Sequence, residues 1–414
     1  MMPPSGGACD AAGRIRRTRG LCSAASQPSQ PEEGAALDVE HLRLVDHHCH
    51  GVTNGDLDRS AFEGLISESF DPAPPGTSHF DAPLGLAIRR WCAPLLDLEP
   101  FVDPDAYVDR RRALGADEVA RRFLSAAGIG ALLIDTGYRA DELHDLDGMR
   151  GLVDAGVHEI VRLEAVAESV AASGIDAAAY PKAYADALDE AARDAVGLKT
   201  IVAYRGGFDF DPSPPDETDV IRAAGGFLGA DGSGGSALRD PVLLRFGIWS
   251  GVRLARERGL PLQFHVGWGD PDLDLHRTDP TLLTALIRQL APLGVDVTLL
   301  HCYPFHRNAG YLAAMYPNVY LDVGSALHYL GPSSGRLLAE AMEVAPFSKL
   351  LFSSDAFGVA EQYHLGALLF RRALTRILER WIADDHCDAA TAERIAAGIA
   401  GGNARRIYPL PDGA

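Results

Sequence analysis

From residue 37 onward the chain alternates short apolar runs with longer segments of helical period. Eight runs read as strands: residues 42–46, 130–135, 159–164, 197–204, 260–265, 295–301, 318–323 and 349–355. Their near-continuous apolar character marks strands buried on both faces. Between them lie helical candidates such as 84–98, 116–127, 239–257 and 280–290, with apolar residues at helical spacing. Strands alternating with helices predict a parallel sheet covered on its faces, and eight such units favour a closed α/β architecture, the (β/α)8 TIM barrel, over an open doubly wound sheet. A dinucleotide-binding sheet would want GxGxxG straight after the first strand, where this chain has His47-His48-Cys49-His50-Gly51-Val52.

Two connections exceed what a simple barrel needs, about 51–128 after the first strand and 206–238 after the fourth. Both would rise from the C-terminal face, so helical insertions forming a lid or pocket wall are expected there. The Pro/Gly-rich pieces 71–77 and 225–235 read as mobile connections. The organisation expected is a disordered tail over 1–36 followed by one barrel over 37–414.

Composition narrows the function classes. Lys and Arg total 38 against 57 acidic residues, a formal charge of −19. That balance argues against a nucleic-acid binder, which relies on phosphate neutralisation by a basic face. No stretch approaches the roughly 20 apolar residues that cross a bilayer, so no membrane partner is expected; a small-molecule substrate is, and a homo-oligomer stays open. Arg14, Arg16, Arg17 and Arg19 crowd the tail, but no apolar run follows to make a secretory signal. The six cysteines form no CxxC pair, which favours a reduced, cytoplasmic protein. Lysine occurs only at Lys182, Lys199 and Lys349, so a lysine inside a structured segment stands out.

Candidate chemistry gathers at strand ends. Asp46, His48 and His50 alternate as the first strand runs out, and a period of two sends all three into the barrel mouth, with His47 and Cys49 toward helices or a turn. Two imidazoles backed by a carboxylate suit a divalent metal, with Asp46 either binding or orienting a ring. His265 ends the fifth strand, His301 the sixth and Asp355 the eighth. Each alone could be a solvated cap, but convergence on one barrel face makes a metal site of one or two ions, zinc first with manganese or iron as alternatives. Lys199 lies in the otherwise apolar fourth strand. Its ammonium either snorkels to water, or its amine takes up carbon dioxide as a carbamate that bridges two metals, which an arginine could not do.

The order His-x-His on strand one, Lys on four, His on five, His on six and Asp on eight resembles the amidohydrolase superfamily of metal-dependent hydrolases. More closely, Asp46-His47-His48-Cys49-His50, the run His265-Val266-Gly267-Trp268-Gly269-Asp270-Pro271-Asp272-Leu273-Asp274-Leu275 and the closing Gly401-Gly402-Asn403-Ala404-Arg405-Arg406-Ile407-Tyr408 resemble its amidohydrolase-2 branch. Within that branch they resemble the module fused to glutamine-synthetase-like domains in some fungal and plant proteins. The resemblance spans roughly residues 40–410 and includes no synthetase half.

Hydrolysis at such a site needs an activated water and a stabilised oxyanion, both within the reach of a bound divalent ion. His48, His50, His265 and Asp355 are expected to form a first metal site. Asp355 would also take the water proton and pass it to the leaving amine. His301 either binds a second ion, with the Lys199 carbamate as bridge, or stays free and steadies the oxyanion. Arg205 offers a fork for a substrate carboxylate, or pairs with a loop acid such as Asp209. Trp268, His276, Arg277 and Tyr303 are candidate pocket residues, whereas His306 and His328 read as ordinary loop or helix histidines. The expected activity is hydrolysis of an amide C–N bond in a small carboxylate-bearing molecule, with the fusion resemblance pointing to a γ-glutamyl amide. Metal-dependent decarboxylation or isomerisation is the alternative within the superfamily, and a catalytically silent partner of a synthetase-like enzyme is the alternative outside catalysis.

Overall fold

The computed structural model describes residues 39–229 and 237–411. The expected disordered tail lies outside the described residues, as does 230–235 of the expected mobile connection; residues 225–229 of that connection complete the helix Glu217–Gly229. Seven strands form one parallel sheet in chain order: β1 (Leu44–Cys49), β2 (Ile129–Asp135), β3 (Gly156–Arg162), β4 (Gly197–Thr200), β5 (Leu262–Val266), β6 (Val297–His301) and β7 (Val319–Leu321). Nearly every strand residue is buried, as expected for a sheet wrapped by helices in a TIM-barrel-like fold. Helices start and stop where the local chemistry dictates. Asp240 caps Pro241–Arg258 by accepting from the Val242 and Leu243 N–H groups, and Gly259, in the left-handed region, ends it.

The expected eighth strand is corrected to an irregular seam. Residues 349–355 lie between β7 and β1 but meet them only by isolated backbone bonds, one to β7 and two to β1: Leu351 N donates to Leu321 O at 2.9 Å, His47 N to Phe352 O at 3.2 Å, and Asp355 N to His48 O at 3.1 Å. Two features prevent a ladder. The Asp46 carboxylate takes the Ser354 N–H at 2.8 Å, a donor that strand pairing would need. Asp355 itself has φ 49°, outside the extended region.

β4 is also shorter than the apolar run suggested. The buried Glu164 carboxylate accepts from Thr200 Oγ1 at 2.6 Å and Ile201 N at 3.1 Å, and the chain turns into the short helix Val202–Arg205. Lys199 therefore sits one residue from the strand end, at the barrel mouth.

The helix expected over 84–98 is broken into Pro83–Ala87, a π-turn Ile88–Cys92 and a 3-10 turn Ala93–Leu96, because Pro94 carries no N–H to continue the ladder. The helix over 116–127 forms as Ala116–Ala127. It packs, with Pro104–Leu114, beside the long helix Ala360–Ala383. Glu361 ties them together, accepting from Arg111 Nε at 2.6 Å, Arg111 Nη2 at 3.2 Å and Tyr107 OH at 2.8 Å. Only Glu68 of this connection walls the candidate pocket, and none of the described residues in 206–229 does.

The C-terminal turn Asn403–Ile407 and Tyr408 close the barrel floor, packing with Val45, Ala131, Leu133 and Ile160. Cys49, Cys92, Cys302 and Cys387 are free thiols, and among the described residues no helix is long and apolar enough to cross a membrane.

Two stability predictions follow from this packing. Glu361→Ala leaves the buried Arg111 uncompensated, so it should lower unfolding free energy by about 3–5 kcal/mol in urea. His328 is fully buried, with neither ring nitrogen hydrogen-bonded among the described residues, and burial pushes its pKa from 6.5 down to about 3. Between those values the unfolded chain binds the proton that the folded chain refuses, so stability falls as pH falls through that window. His328→Leu should therefore lose about 3 kcal/mol less than wild type between pH 6.5 and pH 4, read from paired urea melts.

Candidate metal centre and pocket

The C-terminal strand ends converge on a cavity of about 210 Å³ lined by His50, His265, His301, Asp355, Lys199, Arg162 and Glu68, among others. His48 lies just beneath, its Nε2 2.8 Å from Lys199 Nζ and 3.2 Å from Asp355 Oδ1. His50 Nε2 is 3.7 Å from the same oxygen, while its Nδ1 lies 3.1 Å from the Asp135 carbonyl. With Nδ1 donating to that carbonyl, Nε2 carries the lone pair facing the carboxylate, the tautomer that a carbonyl on the far nitrogen imposes on a ligating histidine. His301 Nδ1 is 3.1 Å from Asp355 Oδ2 but not aligned to hydrogen-bond it. The His265 and His301 rings lie 4.7 Å apart between centroids.

Two triplets bring their ligand atoms within 4.8 Å of one another: His48, His50 and Asp135, and His48, His301 and Asp355. His48 Nδ1, His265 Nε2 and both ring nitrogens of His301 are buried without a hydrogen-bond partner among the described residues. Orphaned imidazole nitrogens of this kind are costly unless something polar or cationic meets them, so the donor set fits a divalent cation.

The electrostatics suit ligation. Burial pushes His48, His265 and His301 well below the ordinary imidazole value and His50 down to about 3, so the rings are neutral at pH 7. Burial works against ionisation of Asp135, but Arg162 and Lys199 hold its carboxyl well below the usual range. Arg162 Nη2 meets Asp135 Oδ2 at 2.6 Å, and Lys199 Nζ approaches the same oxygen at 3.3 Å. Burial lowers the Lys199 pKa against the pull of Asp135, and it raises that of Asp355 against the opposing charge of Lys199.

Backbone strain marks the same place. His301 and Cys302 have φ of 66° and 56°, and Asp355 shares the left-handed region. The carboxylate of Asp322, just past β7, holds the turn by accepting from His301 N at 2.9 Å, Gly324 N at 2.7 Å and Ser353 Oγ at 3.0 Å. Gly267, at φ 77°, lets the β5 loop dock on Tyr303, whose carbonyl would lie 2.2 Å from any Cβ there.

Of the residues expected from sequence, His48, His50, His265, His301, Asp355 and Lys199 come together here, and Arg205 and Trp268 line the cavity. Neither compact triplet contains His265. Arg205 pairs with Glu168 at 3.1 Å rather than with Asp209, which instead binds Arg277 at 2.7 Å. That pairing draws Arg277 away from the cavity. His276 is exposed in the turn Leu275–Thr278, and the Tyr303 ring stacks on His306, so neither lines the cavity. Asp46 faces the seam rather than the site, and His47 does not face the helices. The bulge in β1 turns His47 inward, where Nε2 meets Asp322 Oδ2 and Nδ1 meets Tyr408 OH, both at 2.9 Å. Asp135, Arg162, Asp322 and Glu68 were not anticipated. Asp135 ends an apolar run just as Asp355 does, and Asp322 stands one residue before the end of another, so that signal was present; Glu68, in an irregular connection, has none.

The comparisons with known proteins agree with this geometry. Residues 138–410 match the amidohydrolase family model. The chain is 28% identical to Protein fluG of Emericella nidulans over 407 residues, covering 89% of this chain but only 46% of that relative, about half its length. A solved Lactobacillus casei protein classed as a metal-dependent hydrolase is 27% identical, with a TM-score of 0.79 over 89% of this chain and 96% of that one. The uronate isomerase of Bacillus halodurans shares the fold, at 13% identity and a TM-score of 0.61 over 91% of this chain and 95% of that one. With strand-end histidines, a TIM-barrel-like fold and a family match over most of its length, the chain belongs to the amidohydrolase family.

Proposed function

We propose that this chain is a metal-dependent hydrolase of an amide C–N bond in a small carboxylate-bearing molecule. The observation that carries the reading is the set of buried, neutral imidazoles, with ring nitrogens lacking described partners, gathered around Asp355 in one cavity. Similarity to a solved protein classed as a metal-dependent hydrolase supports it. His48, His50, His265, His301 and Asp355 would hold one or two ions, zinc first with manganese or iron as alternatives, and Asp135 is a further carboxylate within reach of His48 and His50. Bound there, a divalent ion supplies Lewis acidity toward the scissile carbonyl and a water of lowered pKa.

The side chains do the rest. The Lys199 amine, favoured in its neutral form by burial, attacks the carbon of carbon dioxide at Nζ and sheds one proton, leaving a carbamate anion. Asp355 accepts a proton from the attacking water at a carboxylate oxygen and returns it to the leaving nitrogen; burial raises its proton affinity, which suits both transfers. His301, when not ligating, steadies the oxyanion. Arg205, oriented by Glu168, takes the substrate carboxylate while Trp268 walls the apolar side. A γ-glutamyl amide meets these requirements.

Chelation should abolish amide turnover and zinc or manganese should restore it; full turnover after chelation would overturn the reading. Release of carbon dioxide, or of an isomer without free amine, would instead favour the decarboxylase or isomerase chemistry. Asp355→Asn should lower kcat by about 10²–10⁴-fold with an unchanged unfolding midpoint. Intact mass under native conditions should show one added carbon dioxide in wild type and none in Lys199→Arg.

A further inference from the structure

Away from the histidine cluster a second cavity, about 310 Å³, opens between the broken helical run around Trp91 and the helices Ser334–Ala341 and Ala360–Ala383. Arg90, Arg372 and Arg376 line it. Arg372 and Arg376 stand four apart on one helix face, where like charges repel. The guanidinium carbons of Arg90 and Arg372 lie 4.2 Å and 4.6 Å from the Trp91 ring centroid, so the indole holds both cations in place. None of the three has a described carboxylate partner, although acidic residues outnumber basic ones 57 to 38. Other arginines of this chain, such as Arg111, Arg162 and Arg277, are paired.

A second observation points to a ligand. Ser334 is 5% exposed, lines this cavity, and has no described hydrogen-bond partner for its hydroxyl. It opens the helix Ser334–Ala341, which continues directly from the 3-10 turn Gly331–Ser333, and its own N–H is taken by the Gly331 carbonyl, so the hydroxyl is the group it can offer a ligand. Three guanidiniums without a described carboxylate and the Ser334 hydroxyl together make an electropositive recess that suits a phosphate. Phe101, 50% exposed, adds an aromatic rim. The volume lies at the lower end of small-ligand sites, about 300–1,000 Å³.

We propose that this cavity is a second binding site, for a phosphomonoester with a planar aromatic body such as a mononucleotide. The Arg90, Arg372 and Arg376 guanidiniums and the Ser334 hydroxyl take the phosphate, and Phe101 takes the ring.

The test is isothermal titration of AMP into the full-length, metal-replete protein at low salt. Wild type and Asp355→Asn should bind AMP alike, adenosine should bind at least about tenfold more weakly, and Arg372→Ala/Arg376→Ala should weaken AMP by at least about tenfold. Affinity should fall as salt is added. If the double variant loses the wild-type unfolding midpoint, Arg90→Gln, on a partly exposed side chain, replaces it with the same expectation. The proposal is overturned if wild type shows no AMP binding at millimolar concentration, or if adenosine binds as tightly as AMP. It is equally overturned if binding is lost in Asp355→Asn but kept in the arginine variants, which would place the phosphate at the histidine cluster.

Discussion

The barrel mouth depends on one buried carboxylate. Asp322 receives the His301 and Gly324 N–H groups, the Ser353 hydroxyl and the His47 ring, and so joins the end of β6, the end of β7, the irregular seam and β1 through a single side chain. Seven strands leave β1 and β7 as edges, and the segment between them makes too few backbone bonds to close the ring as a ladder would. Side-chain acceptors replace the missing ladder: Asp322 on one flank of the seam and Asp46 on the other. A buried acceptor surrounded by donors is stable only while all remain in place, so this arrangement also holds the left-handed backbone at His301.

The same economy of charge runs around the cavity. Lys199, Arg162 and Asp135 are buried, and the two cations compensate the one carboxylate at short range. Removing water from the cluster holds the histidines neutral, which keeps their lone pairs available, while the cations hold Asp135 ionised. The architecture thus prepares donor atoms without a hydrogen bond of their own, a state that ordinary core packing avoids.

Much of this was legible in the chain. Apolar runs ending in His or Asp located five of the converging side chains, because strands buried on both faces must be apolar and a polar residue can enter only where the strand leaves the barrel. Lys199 was legible for a different reason, as a lysine in an apolar strand of a chain that otherwise uses arginine. Pocket membership was less legible. His276, Arg277 and Tyr303 follow strand ends in sequence, yet an ion pair to Asp209, an exposed turn and a ring stack on His306 take them elsewhere.

By itself the sequence determined the alternation of strands and helices, the parallel sheet, and the strand ends where ionisable residues gather, since hydrophobic period and chain polarity are local properties. The tertiary structure decided the rest. Whether residues 349–355 pair as a strand depends on Asp46 taking the Ser354 N–H and on the left-handed backbone at Asp355, and where β4 ends depends on Glu164 reaching Thr200 and Ile201. The inward turn of His47 needs a bulge in β1 and a hydroxyl from Tyr408, 361 positions away along the chain. Each is a choice among partners distant in sequence, settled by which buried donor finds which acceptor once water is excluded.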